Sequence, residues 1–211
     1  MSKGQPTSAW REARRRDARA DLLSTAWQIV REDGLGGLSL RDLARRAGIT
    51  TPTVYAYFES KNAIFDAMFG EAAQAFAECM SEPPADHDPQ VNLVAEARRF
   101  LDFCTSDVAR YQLLFQHQIP GFNPSPESYA PAVRTLEMAR ERLARNGVHD
   151  PAHCDIWTAL TMGLVDQQIA NDPGGDRWIR LIDEVVAMFL AHCASDPRSS
   201  ENGVMTSRRT H

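Results

Sequence analysis

The chain has little of what marks secreted, membrane-bound or catalytic proteins. Its four cysteines, Cys79, Cys104, Cys154 and Cys193, are scattered through 211 residues with no Cys-x-x-Cys spacing. That pattern suits neither a zinc ribbon nor a disulfide framework, and the cysteines are expected as reduced thiols packed like small apolar groups. No apolar run approaches the length needed to cross a bilayer, and no apolar signal-peptide core follows the N-terminus. The expected location is therefore the cytoplasm, with no membrane partner. There is no Gly-rich phosphate loop and no His-Glu-x-x-His motif. The adjacent pairs His153-Cys154 and His192-Cys193 cannot both aim easily at one metal from a helix. No catalytic group, cofactor or metal is expected, which argues against an enzyme. No stretch alternates with period two for long enough to build a sheet, and no internal repeat is visible.

What remains is helical periodicity with uneven charge. Hydrophobic residues make up 43% of the chain, enough for a real core, and charged residues 24%. The net charge of -5 hides a partition. Residues 1–62 hold 11 Lys or Arg against 7 Asp or Glu, and the remainder holds 12 against 21. A basic head on an acidic body can approach a polyanion with one end only.

Residues 1–16 are polar, end in Arg14-Arg15-Arg16, and are expected as a flexible basic arm; residues 195–211 are expected as a disordered tail. A first helix should span about 17–33, with Leu22, Leu23, Ala26, Trp27, Ile29 and Val30 as its apolar stripe, stopped by Gly34, Gly36 and Gly37. Ser39 opens a second helix with Asp42 three positions on, a capping-box arrangement. Gly48 suits the reversal that follows, and Ile49 plugs the turn. Thr50 caps a third helix, with Pro52 where a missing N–H costs little. Ser60 begins a fourth helix, carrying Ile64, Phe65, Met68, Phe69, Ala72 and Phe76 on one face. Beyond the Pro- and Asp-rich break at 81–90, helices are expected at about 90–105, 107–118, 127–146, 151–171 and 175–194. The architecture is all-α, with about nine helices. A three-helix head at 17–62 containing a helix-turn-helix joins a larger body at 63–194.

The segment Ser39 to Phe58 carries the most information. If Val54, Phe58 and Ile49 anchor the third helix from inside, Thr51, Thr53, Tyr55 and Tyr57 face outward. Threonine can meet a base edge or a thymine methyl, and tyrosine can reach a phosphate. Lys61 and Arg41 add positive contacts. The same cap-turn-cap pattern occurs in helical proteins that never meet DNA. Tyr55 and Tyr57 could equally be core aromatics, and Arg45-Arg46 a solvated face. Arg14, Arg15, Arg16 and Arg19 suit either an ordinary tail or a minor-groove arm.

Leu22 through about Phe69 resembles the tetracycline-repressor (TetR) family of bacterial one-component transcriptional regulators. The resemblance rests on Ala26 and Gly34, on Ser39-Leu40-Arg41-Asp42-Leu43-Ala44-Arg45-Arg46-Ala47-Gly48-Ile49, and on Thr50-x-x-x-Val54-Tyr55-x-Tyr57-Phe58 followed by Ser60-Lys61. It implies that Arg41, Thr50, Thr51, Pro52, Thr53, Tyr55, Tyr57 and Lys61 fall on DNA-contact positions, the tyrosines and Lys61 on phosphate. Pro52 departs from the small residue that relatives often carry there, and it removes one possible backbone donor.

In the body, Ile156, Leu160, Gly163 and Leu164 form one apolar stripe, and Trp178, Ile182, Val185, Val186 and Phe189 another. On periodicity alone they fit a dimer seam or a monomer core. The resemblance implies a homodimer seam, so that two heads read a palindromic operator in double-stranded DNA. Phe100, Phe103, Tyr111, Phe115, Phe122, Trp157 and Met162, with Asp166, His117, Gln118 and Gln167 as polar groups, could line an apolar small-molecule site or a plain packed core. The resemblance implies that an effector bound in the body releases the DNA, and repression is the family's usual behaviour. A helical scaffold is the rival from another class, and acids or bulky apolar residues on the outer face of residues 50–57 would betray it. Neither is present.

Overall fold

The computed structural model describes residues 8–83 and 86–195. Residues 1–7 of the expected arm, and the expected tail beyond residue 195, lie outside the described residues. Nine α-helices and one 3-10 turn account for the regular structure of the described residues. In order they are α1 (Ser8–Gly37), α2 (Leu40–Arg46), α3 (Thr51–Tyr55), α4 (Lys61–Cys79), α5 (Pro89–Ser106), α6 (Val108–Phe115), α7 (Pro126–Arg145), α8 (Pro151–Asn171) and α9 (Ile182–Ser195), with the 3-10 turn at Ile179–Leu181 before α9. Among the described residues no helix is long and apolar enough to cross a membrane.

Packing divides the chain into two compact units. The first contains the described residues up to Ala73 together with Ala109–Tyr129. It is larger than the expected head at 17–62, because it takes in most of α4, α6 and the loop leading to α7. The second contains Gln74–Val108 and the described residues from Ala130 onward.

In the first unit, α1 buries Leu22, Leu23, Ala26, Trp27, Ile29 and Val30, the expected stripe. It begins earlier than expected, at Ser8 rather than near 17, so residues 8–16 are helix and not a loose arm. Its geometry breaks at Gly34, whose φ of 72° is cheap only for glycine. The Ser39 Oγ accepts the Asp42 N–H at 3.1 Å and caps α2. The other half of the expected capping box is not made as such: the Asp42 carboxylate is held by Arg45 and Arg46. At the end of α2 the Ile49 N–H reaches the Ala44 carbonyl at 2.9 Å, and the Gly48 N–H reaches that of Arg45. With Gly48 at φ 68° this is a Schellman stop, which satisfies carbonyls that the helix leaves open. Thr50 then caps α3, its Oγ1 accepting the Thr53 N–H. Two caps and one glycine thus set the angle between α2 and α3 within a few residues.

The second unit is built on α5, which packs against both α8 and α9. Its core includes Leu93, Ala97, Leu101 and Cys104 from α5, Val165 from α8, and Ile182, Val186 and Phe189 from α9. Trp157 lies 5.0 Å from Phe189, ring centre to ring centre. The α9 helix starts at Ile182, later than the expected 175. The buried Gln168 side chain explains this. Its Oε1 accepts the N–H groups of Trp178 and Ile179, and its amide donates to the Asp172 carbonyl, fixing the link as a turn. Between α5 and α7 the buried Arg142 approaches Glu96 at 3.9 Å and donates to the Glu82 carbonyl at 2.8 Å. Burial pushes the Glu96 carboxyl above its ordinary value, against the pull of Arg142 and Arg99.

The cap on α3 has a direct test. Thr50→Ala should lower the stability of the chain by about 1 kcal/mol, as other lost N-caps do, while Thr50→Ser should keep most of it. Urea unfolding of both variants measures the difference, and equal losses in the two would contradict the cap's role.

Candidate nucleic-acid interface

The α3 helix is only five residues long and could not persist by itself. Val54 and Phe58 pin it, at 0% and 2% exposure. Because they point inward, the opposite face points out: Thr50, Pro52 and Tyr55 are exposed, Thr51, Thr53 and Tyr57 half-buried. Tyr55 is 53% exposed and is not a core aromatic. The Thr50 and Thr53 hydroxyls lie 2.8 Å apart and hydrogen-bond to each other. Pro52 has no N–H and the Thr53 N–H is already engaged, so the backbone at this helix start offers little to a phosphate. Any contact made from this helix start falls to the side chains.

Charges around α3 fall into two sets. Arg46 is held by Glu32, by Asp33 at 3.2 Å and by Asp42 at 2.8 Å. It is a clamp between α1 and α2. Arg45 pairs with Asp42, and this hydrogen bond, with that of Arg46, holds the Asp42 carboxyl below its ordinary value. The second set is less enclosed. Arg41 is exposed on α2. Lys61, at the start of α4, lies half-buried with its Nζ 5.4 Å from the centre of the Phe65 ring. Sequence reasoning left Arg15 open, as part of an ordinary tail or of a minor-groove arm. Its Nη2 donates to the carbonyl of Ala56, the C-cap of α3, at 3.2 Å. Arg19 lies over the Phe58 ring at 4.7 Å. The only hint in the sequence was the run of arginines before the first stripe.

The aromatic set expected to line one small-molecule site is distributed differently. Phe122 lines a cavity of about 280 Å³ in the first unit, as do His117 and Gln118. Phe69, Leu113, Ile119 and Tyr129 complete most of its wall. His117 adopts φ 45°, a left-handed conformation that costs a non-glycine residue about 1–2 kcal/mol. Other members of the expected set do not line this cavity. Tyr111 is fully buried and packs on Phe115. In the second unit Phe100 and Phe103 pack on Phe76, Trp157 packs on Phe189, Met162 is half-buried, and Asp166 and Gln167 are exposed on α8. Sequence reasoning missed the polar clasp beside the cavity. The Asp66 carboxylate of α4 accepts the Ser125 N–H at 2.6 Å and the hydroxyls of Ser125 and Ser128 at 3.0 and 2.9 Å. Gly70, one turn on, lies against Ser128 so closely that an added Cβ would come within 3.2 Å of its Oγ.

The two stripes expected at a dimer seam separate by burial. Ile156, Leu160 and Gly163 are exposed on α8. Leu164, Ile182, Val186 and Phe189 are buried, so within this chain they are core, and Trp178 and Val185 are half-buried. The exposed apolar face instead continues through Ala159 on α8 and Ala187, Ala191 and Met188 on α9, Met188 at 65% exposure. A second hollow, about 420 Å³, lies by the α8–α9 link, where the Gln168 amide is already engaged. His153 is buried with its ring 5.2 Å from that of His192. Among the described residues no three His, Cys, Asp or Glu gather to hold a metal.

Residues 22–68 match the model of the family described as "Bacterial regulatory proteins, tetR family". An HTH-type transcriptional regulator of Mycobacterium bovis is 27% identical over 127 residues, which is 57% of this chain and 54% of that protein. The chain thus spans about half the length of this curated relative. Among solved structures, a tetR-family transcriptional regulator from Streptomyces coelicolor superposes with a TM-score of 0.67 at 19% identity, over 88% of this chain and 86% of that one. The transcriptional regulator FadR from Bacillus subtilis, solved with stearoyl-CoA, gives 0.61 at 17% identity, over 81% and 96%. With α2 and α3 set as a helix-turn-helix inside the matched segment, residues 22–68 are a helix-turn-helix domain of the tetR family of bacterial regulatory proteins.

Proposed function

We propose that the chain is a ligand-responsive repressor that acts in the cytoplasm and binds a palindromic operator as a homodimer. One observation carries the reading: Val54 and Phe58 are buried while the hydroxyl-bearing face of α3 is left to solvent. Residues 17–62 act as the DNA-binding domain. Thr51 and Thr53 read base edges; Tyr55, Tyr57 and Lys61 grip phosphates; Arg41 adds a contact from α2; Thr50 and Pro52 shape the helix start. Residues 63–194 supply effector binding and dimerisation.

A single head covers too little duplex for strong selectivity, so two are needed. The partner surface is the exposed apolar face of α8 and α9, centred on Ile156, Leu160, Gly163 and Met188. Small residues at Ala159, Gly163, Ala187 and Ala191 allow two such faces to approach closely.

The effector is an apolar or aromatic compound with a single polar group. The cavity beside Phe69 and Phe122 favours it, since apolar walls supply affinity and His117 or Gln118 can fix orientation. The strained His117 is the kind of backbone outlier that clusters at ligand sites. The α4 helix leads directly from the helix-turn-helix to Phe69, and Asp66 ties it to the loop at Ser125. Occupancy of the cavity favours a different setting of α4, and the operator is released by a shift between two populations. The Bacillus subtilis regulator solved with stearoyl-CoA is a precedent for a ligand bearing a long apolar chain on this fold.

Three outcomes are expected. Tyr55→Ala should weaken binding to all duplexes and flatten the dependence on salt, whereas Thr53→Ala should change preference among operator variants more than overall grip. Competition with operator variants separates the two, and equal loss of selectivity in both would refute the assignment. Leu160→Asp should leave the protomer folded but convert the dimer to monomer, with operator affinity falling at least tenfold (about 1.4 kcal/mol); light scattering reads the mass, and an unchanged dimer would rule out this face. In a screen of apolar and aromatic compounds, those that raise the melting temperature should also lower operator affinity, and Phe122→Trp should abolish both responses by filling the cavity. A screen in which no compound moves either quantity would remove the effector from the account.

A further inference from the structure

The amino-terminal extension of α1 is helical and basic. Residues 8–19 carry Arg11, Arg14, Arg15, Arg16 and Arg19 against Glu12 and Asp17. Nearly all the positive charge of this chain is arginine, the side chain whose planar fork matches a phosphate. The face these arginines occupy follows from the helix period. Arg11 and Arg15 lie roughly 20° either side of Leu22 when α1 is viewed down its axis. Leu22 is buried in the head, so the inward stripe of α1 runs on past the core as arginine. Arg15 fixes the direction of this stripe, because its guanidinium reaches the Ala56 carbonyl at the end of α3. Arg11 then stands one turn, about 6 Å, further along the same stripe. Arg14 flanks it, lying 5.0 Å over the ring of Trp10, which is itself 48% exposed. Glu12 lies on the opposite flank, about 80° from Leu22, and Arg16 about 120° round on that same side.

We infer that this extension is a second DNA-binding element, in which Arg11 and Arg14 grip the phosphate backbone of the duplex flanking the stretch that α3 reads. Arg15 is its positioning residue, holding the extension to the carboxyl end of α3. The ligand class follows from net charge: five arginines against two acids over residues 8–19, anchored beside a helix that faces DNA, meet a polyanion there. The inference rests on the DNA-binding reading of α3, and it adds contacts that carry no sequence information.

Arginine–phosphate contacts act on any sequence, so a long duplex of arbitrary sequence is a sufficient probe. Its affinity for the full chain is measured by fluorescence anisotropy across a range of salt concentrations. Arg11→Ala with Arg14→Ala should reduce the slope of log affinity against log salt by about 2 for each bound head. Lysine at both positions should restore the slope, and Arg16→Ala should leave it unchanged. Circular dichroism checks that α1 stays helical, which alanine favours. An unchanged slope in the double alanine variant would overturn the inference. So would an equal loss from Arg16→Ala, which would mark general charge rather than a placed strip. If the unaltered chain bound no duplex at all, the reading of α3 would fall with it, so the two failures are distinct.

Discussion

The proposed reading of DNA depends first on keeping a five-residue helix still. Such a helix gains too few backbone hydrogen bonds to offset its nucleation cost. Burial of Val54 and Phe58 supplies what is missing, at roughly 1.5–3 kcal/mol for a fully buried side chain of this size. The Schellman stop at Gly48 and the Thr50 cap set its angle to α2, while Arg15 holds its far end. The polar face is exposed as a consequence, since a helix that buries one side so completely must present the other.

The arginines show how the same side chain divides its work by position. Arg46, enclosed by three carboxylates, holds α2 to α1. Arg41 and the α1 extension leave their charge on the outside of a basic head. In the second unit, Arg142 is buried against Glu96 and a carbonyl, and there it orders helices. On the proposed reading the chain acts by binding DNA, through placed charge and placed hydroxyls.

How legible each part was in the sequence follows from how local its causes are. The α2-turn-α3 unit could be read almost residue by residue, because Ser39, Gly48, Thr50 and Pro52 act on neighbours a few positions away. The start of α1 was misread: an Arg-rich stretch has no apolar stripe, and its helix is held by a contact to Ala56, far along the chain. The start of α9 was missed for a similar reason, since Gln168 captures the link from a distance. The apolar stripes of α8 and α9 were visible, but periodicity does not say which of two apolar faces turns inward. Hence Ile182, Val186 and Phe189, which periodicity fitted to a dimer seam or a core alike, are buried within this chain, and Met188 is exposed. The aromatics of the body were likewise read as one cluster, whereas the cavity in the first unit is shaped by a loop, residues 117–124, and a strained His117 that no pattern announces.

The most direct test is selection of bound sequences from a pool of random duplex DNA by the full chain. The account predicts enrichment of an inverted repeat whose two halves have one fixed spacing, as two rigidly held α3 helices require. Recovery of no common sequence, or of a single unpaired half-site, would contradict it.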